Sequence, residues 1–301
     1  MPDIQSVMDR LYRMYLEPPV YQPMRCHLVN TVSTTTDQTF QLGSFAVAED
    51  KMMLRNGLVL EVGDEMLIVQ SVTALTAASP SVTVARAQYG TTPSTYTPGT
   101  EIRMSPLFPK LSSFEAIRDN IISLHPKLFT VREARVVPVG NGIYPCDDPL
   151  AVSVQSAWPF GGAGAKGYAA RIVDYHPLTG GRAFVSSVNT ELQIRYTRRM
   201  GVATSLTDDL DDLGVEDVWV PIVLAGAAAD LMVGRDLPET VVDWVTKIAD
   251  SEAVRVGQRQ SLAINLRAYR DYLLNSYSSE MQSEYKPVVV ARDPFRSVSS
   301  I

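Results

Sequence analysis

An α+β fold is what this sequence predicts: two small β-barrel or sandwich domains combined with a helical bundle and an extended C-terminal arm. Three observations predict it. Residues 20–106 and 131–206 are rich in Thr, Val and aromatic residues and are cut into short runs by turn residues. Residues 207–286 place apolar side chains at helical intervals instead. After Pro287 the chain reads VVVARDPFRSVSSI, three valines followed by a polar, Pro-containing end over 287–301. An N-terminal helix over 1–19 and a helical segment over 107–130 complete the order of parts.

In chain order, Ile4, Val7, Leu11, Met14 and Tyr15 recur at helical spacing, with Asp3 placed to cap the start and Pro18-Pro19 to stop it. This short stripe needs a surface to cover it, either its own domain or a neighbouring subunit. From Tyr21 to Pro106 five or six short strands are expected, separated by turns such as Arg55-Asn56-Gly57 and Val62-Gly63-Asp64. Leu58, Leu60 and Val62 alternate with Val59 and Glu61, and Leu67, Val69 and Ser71 alternate with Met66, Ile68 and Gln70. Phe114, Ile117, Ile121 and Leu124 then form one helical face, with Ile122 beside it, ended by Pro126. Five runs of strand composition follow: ARVVPV, AVSVQSAW, AARIVDY, RAFVSSV and TELQIRYTRR. Beyond an acidic run, Val218–Gly234 reads as a helix whose Ala225, Gly226, Ala227, Ala228 and Ala229 let a partner helix approach closely. Asp236, Leu237 and Pro238 open a long helix. Its stripe passes through Leu262, Leu266, Tyr269 and Leu273 to about Tyr277, with Gly257 as a kink or break.

Composition excludes several functional classes. A chain of 301 residues accommodates two or three domains, and 46% hydrophobic with 20% charged residues is ordinary for a globular protein. The longest apolar run, Val218 to Ala229, is interrupted by Pro221 and Gly226, so no membrane span is expected. The N-terminus lacks the basic lead and apolar block of a secretion signal. Cys26 and Cys146 lie far apart without metal spacing, which points to a reducing, intracellular place of assembly. A net charge of −6 argues against direct grip on nucleic acid. It fits a carboxylate-lined channel through which DNA slides without sticking.

Candidate chemistry is sparse. Asp208, Asp209, Asp211, Asp212, Glu216 and Asp217 offer hard oxygen ligands but lack the spacing of a calcium loop, and carboxylates ahead of Val218 suit a helix N-terminus. The loop Gly161-Gly162-Ala163-Gly164-Ala165-Lys166-Gly167 has Gly where a phosphate-binding loop needs Ser or Thr after the Lys. His27, His125 and His176 have no local metal-ligand pairing beyond the Cys26-His27 neighbours. Cys146 stands beside Asp147-Asp148, whose charge opposes a thiolate. No catalytic, cofactor-binding or metal-binding residue is therefore expected, and the chain is read as a non-enzyme. The tail is the better candidate for contact with partners. Val288 to Val290 form a run that demands pairing, and Val289, Arg292, Phe295 and Arg296 make an anchor-like cluster of types enriched at interface hot spots.

One stretch carries a resemblance. The order Gly63-Asp64-Glu65 followed by a strand, then VTVARAQYGTTPSTYTPGTEI from Val82 to Ile102, resembles a β-module of neck and tail proteins of tailed bacteriophages. In that resemblance Gly63, Asp64 and Glu65 turn into a strand, Arg86 lies in the next strand, and Gly90, Thr91, Thr92 and Gly99 shape the long turn. It covers roughly residues 54–104. The remainder is similar, more loosely, to head-to-tail connector (adaptor) proteins. The resemblance implies a homo-oligomeric ring, commonly twelve-fold, seated beneath a portal protein in the virion neck. The ring would bridge to a downstream stopper or tail-terminator protein, pass genomic DNA without specific contact, and be assembled in the host cytoplasm away from any membrane. The chain departs from the family's smaller, mostly helical adaptors in being about half β. A different reading is a tail or baseplate protein whose second β-domain binds carbohydrate, with Trp158, Phe160 and Tyr168 as a stacking platform.

Overall fold

Six short strands close into an antiparallel barrel, and this barrel is the organising feature of residues 24–104. The computed structural model describes residues 2–16, 24–89, 91–140, 142–160, 172–178, 181–186, 190–233 and 259–284. It is a mixture of helix and strand. The strands are β1 (Arg25–Leu28), β2 (Thr39–Gly43), β3 (Val59–Val62), β4 (Glu65–Thr73), β5 (Ser81–Gln88) and β6 (Glu101–Met104). They pair in the order β1-β2-β5-β4-β3-β6, with β6 returning to β1. Closure removes every free edge from the sheet, so its backbone groups cannot recruit stray strands.

The period-2 pattern decides which side chains fill the barrel. Leu60, Val62, Leu67, Val69, Val82 and Val84 point inward with Phe40, Leu42 and Ile102, all at 1% exposure or less. Each such side chain contributes roughly 1.5–3 kcal/mol by leaving water. Between β3 and β4 the chain reverses within Gly63-Asp64, and Gly63 takes φ +57°, a left-handed value that a side chain resists. Glu61 and Met66 stand on the opposite, outer face of β3 and β4, yet they are only 2% and 5% exposed. A second layer covers them.

The N-terminal helix α1 (Ile4–Leu11) widens into a π-helical turn over Tyr12–Leu16, and the Tyr12 ring lies against Arg103, the partner of Glu61. Ile4, Val7, Met8, Leu11, Tyr15 and Leu16 are buried, so the chain itself covers the N-terminal stripe. The second piece is α2 (Lys110–Ile122), whose Ile117 and Ile121 are fully buried while Ile122 is 43% exposed.

The other β region contains β7 (Thr130–Val136), β8 (Ile143–Cys146), β9 (Ala151–Pro159), β10 (Ile172–Leu178), β11 (Gly181–Ser186) and β12 (Leu192–Arg198). They form two three-stranded antiparallel sheets, ordered β7-β12-β9 and β10-β11-β8. Val136, Ala157, Leu192, Ile194 and Tyr196 of the first sheet share a core with Tyr144 and Cys146 of the second. The sequence IYPC of β8 gave no strand signal because Pro145 interrupts it. A proline is admissible there because β8 is an edge strand, paired with β11 alone within its sheet.

Two further helices are α3 (Val220–Met232), preceded by a 3-10 turn at Asp217–Trp219, and α4 (Arg259–Glu284). Ala225, Ala227, Ala228 and Ala229 of α3 are all fully buried, as their small size allows. On α4 the buried positions are Leu262, Ala263, Leu266, Leu274 and Ser278. The expected stripe through Tyr269 is corrected here: Tyr269 is 39% exposed, because the buried face advances in steps of four from Leu262. The helix opening at Asp236-Leu237-Pro238 and the break at Gly257 lie outside the described residues. By density of internal contacts the chain divides into two units, one holding residues 6–117 and 224–267 with the barrel, the other residues 1–5, 118–223 and 268–301 with the two sheets.

Candidate functional site

Two of the residues that carry the resemblance, Glu65 and Arg86, meet in one buried ion pair. Glu65 opens β4 and Arg86 lies near the end of β5, and the pairing of these neighbouring strands places their side chains together. Arg86 Nη2 donates to Glu65 Oε2 at 2.6 Å and Nε to Oε1 at 3.0 Å, a two-pronged geometry that only a planar guanidinium provides. The carboxylate side chain is 0% and the guanidinium side chain 6% exposed. Glu65 also accepts from the backbone N–H of Ala87 at 3.1 Å and of Ser94 at 3.2 Å, and from the Tyr96 hydroxyl at 3.0 Å. Arg86 donates onward to the carbonyls of Thr34 at 2.9 Å and Asp37 at 3.3 Å, and to that of Ser94. Its cationic plane lies 5.6 Å from the Phe40 ring centre and 5.8 Å from that of Tyr96.

Burial pushes the Glu65 carboxyl up, but Arg86, the two amides and the Tyr96 hydroxyl outweigh it and hold the group below the usual carboxylate range. Burial and the neighbouring Glu65 charge raise the Tyr96 phenol, which keeps it a hydrogen-bond donor. Every strong polar contact in this cluster is met by the protein itself. The cluster ties the Thr-, Ser- and Pro-rich loop after β5 to the barrel: Ser94 and Tyr96 belong to that loop, and Tyr96 also donates to the Val62 carbonyl at 2.9 Å. Gly90 of the motif lies outside the described residues, while Gly99 takes φ +88° before β6.

A second buried pair lies on the outside of the barrel wall. Glu61 accepts from Arg103 Nη1 at 3.0 Å and from the backbone N–H of Lys110 at 2.5 Å, so it also serves the N-terminus of α2. Arg103 lies 4.8 Å from the Tyr12 ring centre, and Tyr12 donates to the Phe108 carbonyl at 2.8 Å. This contact explains why outward-facing Glu61 is buried, and period-2 reasoning had no means of finding it.

Beside this pair an apolar groove of about 370 Å³ opens, lined by Val59, Met66, Tyr89, Pro106, Pro109 and Leu111 with Ser105 and Ser112. Tyr89 and Ser105 both hold left-handed backbone, with φ +55° and +46°, and Tyr89 is 65% exposed.

The remaining candidate residues separate. Cys26 is fully buried in the barrel, and its neighbour His27 points to the other face of β1, with Nδ1 3.4 Å from the Ser44 carbonyl oxygen. Burial raises the Cys26 thiol to about 12, and it also raises that of Cys146. His125 precedes Pro126 beyond the end of α2, and His176 lies in β10 opposite Ala183. In the acidic run, Asp208 accepts from the N–H groups of Thr204 and Ser205, and Asp209 from that of Asp211. Asp211 itself meets Arg132 at 2.9 Å. These carboxylates fasten their own loop. Among the described residues no group of three or more His, Cys, Asp or Glu side chains is arranged to hold a metal ion. Nor is any described helix long and apolar enough to cross a membrane. The loop 161–167, Tyr168 and the cluster Val289, Arg292, Phe295 and Arg296 lie outside the described residues. Trp158 pairs with Gln193 on β12, and Arg135 sits 3.9 Å from the Phe160 ring centre, covering one of its faces.

No protein-family model matches the chain, and no curated protein matches it.

Proposed function

We propose that this protein is a structural subunit of a tailed-phage virion neck, a ring adaptor between portal and tail through which DNA passes. One observation supports the reading above the others. The residues that carry the resemblance, Gly63, Glu65 and Arg86, are engaged in building a closed barrel and clamping its long loop, the work of a rigid assembly module. In the same reading the finer architecture is two β-domains, a helical bundle and a C-terminal arm, with Val289, Arg292, Phe295 and Arg296 reserved for partners. The ring closes by heterologous contacts between neighbours, meets a portal protein above and a stopper or tail-terminator protein below, and lets DNA pass without base-specific contact. The carbohydrate-binding alternative draws less support, since Arg135 already occupies one face of Phe160.

Mass measurement and negative-stain imaging of the purified chain, alone and with a portal ring, test the proposal. Closed rings or a portal-bound complex are expected. A persistent monomer that ignores the portal and binds glycans overturns it.

A further inference from the structure

We propose that the groove beside the barrel seats the Pro294-Phe295 pair of a second copy of this chain, with Arg292 and Arg296 of that copy reaching Asp64 and Glu115 on its rim. The inference rests on the ring reading above and gives it a specific contact.

The groove has the size and surface for such an occupant. Its roughly 370 Å³ accommodates an aromatic ring with a neighbouring proline, and Val59, Met66, Pro106, Pro109 and Leu111 offer an apolar wall with few polar groups to desolvate. Its geometry is held at a cost. Left-handed backbone in a non-glycine residue is strained. Tyr89 and Ser105 both adopt it at the groove, and Tyr89 remains 65% exposed although an aromatic ring gains by burial. An exposed ring beside an apolar groove offers area for an incoming side chain to cover.

Charge selects the occupant. Asp64 is exposed at the turn into β4, two residues before groove-lining Met66. Glu115 is exposed one turn along α2 from Leu111. The nearby cation, Lys110, acts on Glu61. The chain carries −6 overall, yet its last 17 residues hold three cations, Lys286, Arg292 and Arg296, against the single acid Asp293. Within them, Arg292-Asp293-Pro294-Phe295-Arg296 brackets an apolar pair between two arginines. Pro294 lies ten residues beyond Glu284, the last described residue of α4, a span of at most ~35 Å of chain.

Disulfide trapping in the full chain tests this. Two differently tagged copies, one carrying Tyr89→Cys and the other Phe295→Cys, are mixed and mildly oxidised. The native Cys26 and Cys146 are 0% and 4% exposed and do not compete. A covalent heterodimer joining the two tags is expected. In parallel, Phe295→Ala and Leu111→Asp should each raise the concentration needed for ring assembly at least tenfold while leaving the melting temperature within a few degrees. Rings that form without the cross-link, and that are indifferent to both substitutions, overturn the groove contact and leave the ring reading standing. A Tyr89→Cys/Phe295→Cys double variant that links only within one chain likewise overturns it. If the wild-type chain never assembles and no cross-link forms, both readings fail together.

Discussion

Glu65 shows at the residue scale how a motif without chemistry can still be indispensable. Its carboxylate is fully buried, is paired in two-pronged fashion with Arg86, and accepts three further hydrogen bonds. Removing one partner of such a pair strands a buried charge, so Glu65→Gln should destabilise the protein by about 3–5 kcal/mol in urea unfolding. Tyr96→Phe deletes one hydroxyl with two acceptors and should cost about 1–3 kcal/mol. The pH dependence has a definite sign. Because the folded carboxyl is held below its ordinary value of 4.5, the unfolded chain binds more protons than the native one in mild acid. The stabilisation is therefore complete above that ordinary value and is lost as pH falls through the folded one. Below about pH 4.5 the Glu65 contribution should lower the urea midpoint as pH falls, and Glu65→Gln should flatten that part of the slope, whereas buried Glu61, raised to about 7, acts in the opposite sense at higher pH.

At the scale of elements, the segments connecting strands and helices are fixed by local polar chemistry. The acidic loop before α3 is an example. Thr130 Oγ1 donates to the Gly214 carbonyl at 3.1 Å, Arg132 holds Asp211, and Arg198 donates to the Asp212 carbonyl. Gly214 takes φ +75°, and a Cβ added there would stand 2.5 Å from Thr130 Oγ1. Gly214→Ala should accordingly cost at least about 1–3 kcal/mol by combining left-handed backbone with a clash, read as a lowered melting temperature. Paired Gly214→Ala and Thr130→Ser substitutions separate the two causes: Ser keeps the clashing oxygen, so no rescue is expected, whereas Thr130→Ala should recover part of the loss.

For the whole molecule, the proposed ring makes the arm beyond Glu284 dispensable for folding and necessary for assembly. Deleting residues 287–301 should leave the unfolding midpoint nearly unchanged and abolish or strongly weaken ring formation or portal docking. Light scattering and thermal unfolding on the same samples check both halves. Normal assembly by the shortened chain would refute the arm. Since Arg292 and Arg296 are assigned to exposed carboxylates, the association should also weaken as salt is raised from 50 to 500 mM, as expected for rim charges screened over about a Debye length.

Much of the fold was legible in the amino-acid order because it follows from short-range rules. Alternation of Leu60, Val62, Leu67 and Val69 with their neighbours predicted strands with two distinct faces, and the Gly63-Asp64-Glu65 turn stands where the motif placed it. The helical spacing of Ile4, Val7 and Leu11 predicted α1, and the small residues of Val220–Met232 predicted a helix that tolerates close packing. Other features depended on contacts between residues distant in the chain. Only the folded structure shows that Glu61 and Met66 are covered, because burial of an outward side chain depends on what another segment lays over it, here Tyr12 and the start of α2. Strand β8 escaped notice because an edge position forgives a proline that composition counts against a strand. The exposure of Tyr269 came down to a rotation of one residue around α4, which a broken periodicity leaves open. The groove and the Glu65–Arg86 clamp also belong to tertiary structure, since each is made by bringing together segments that share no local pattern.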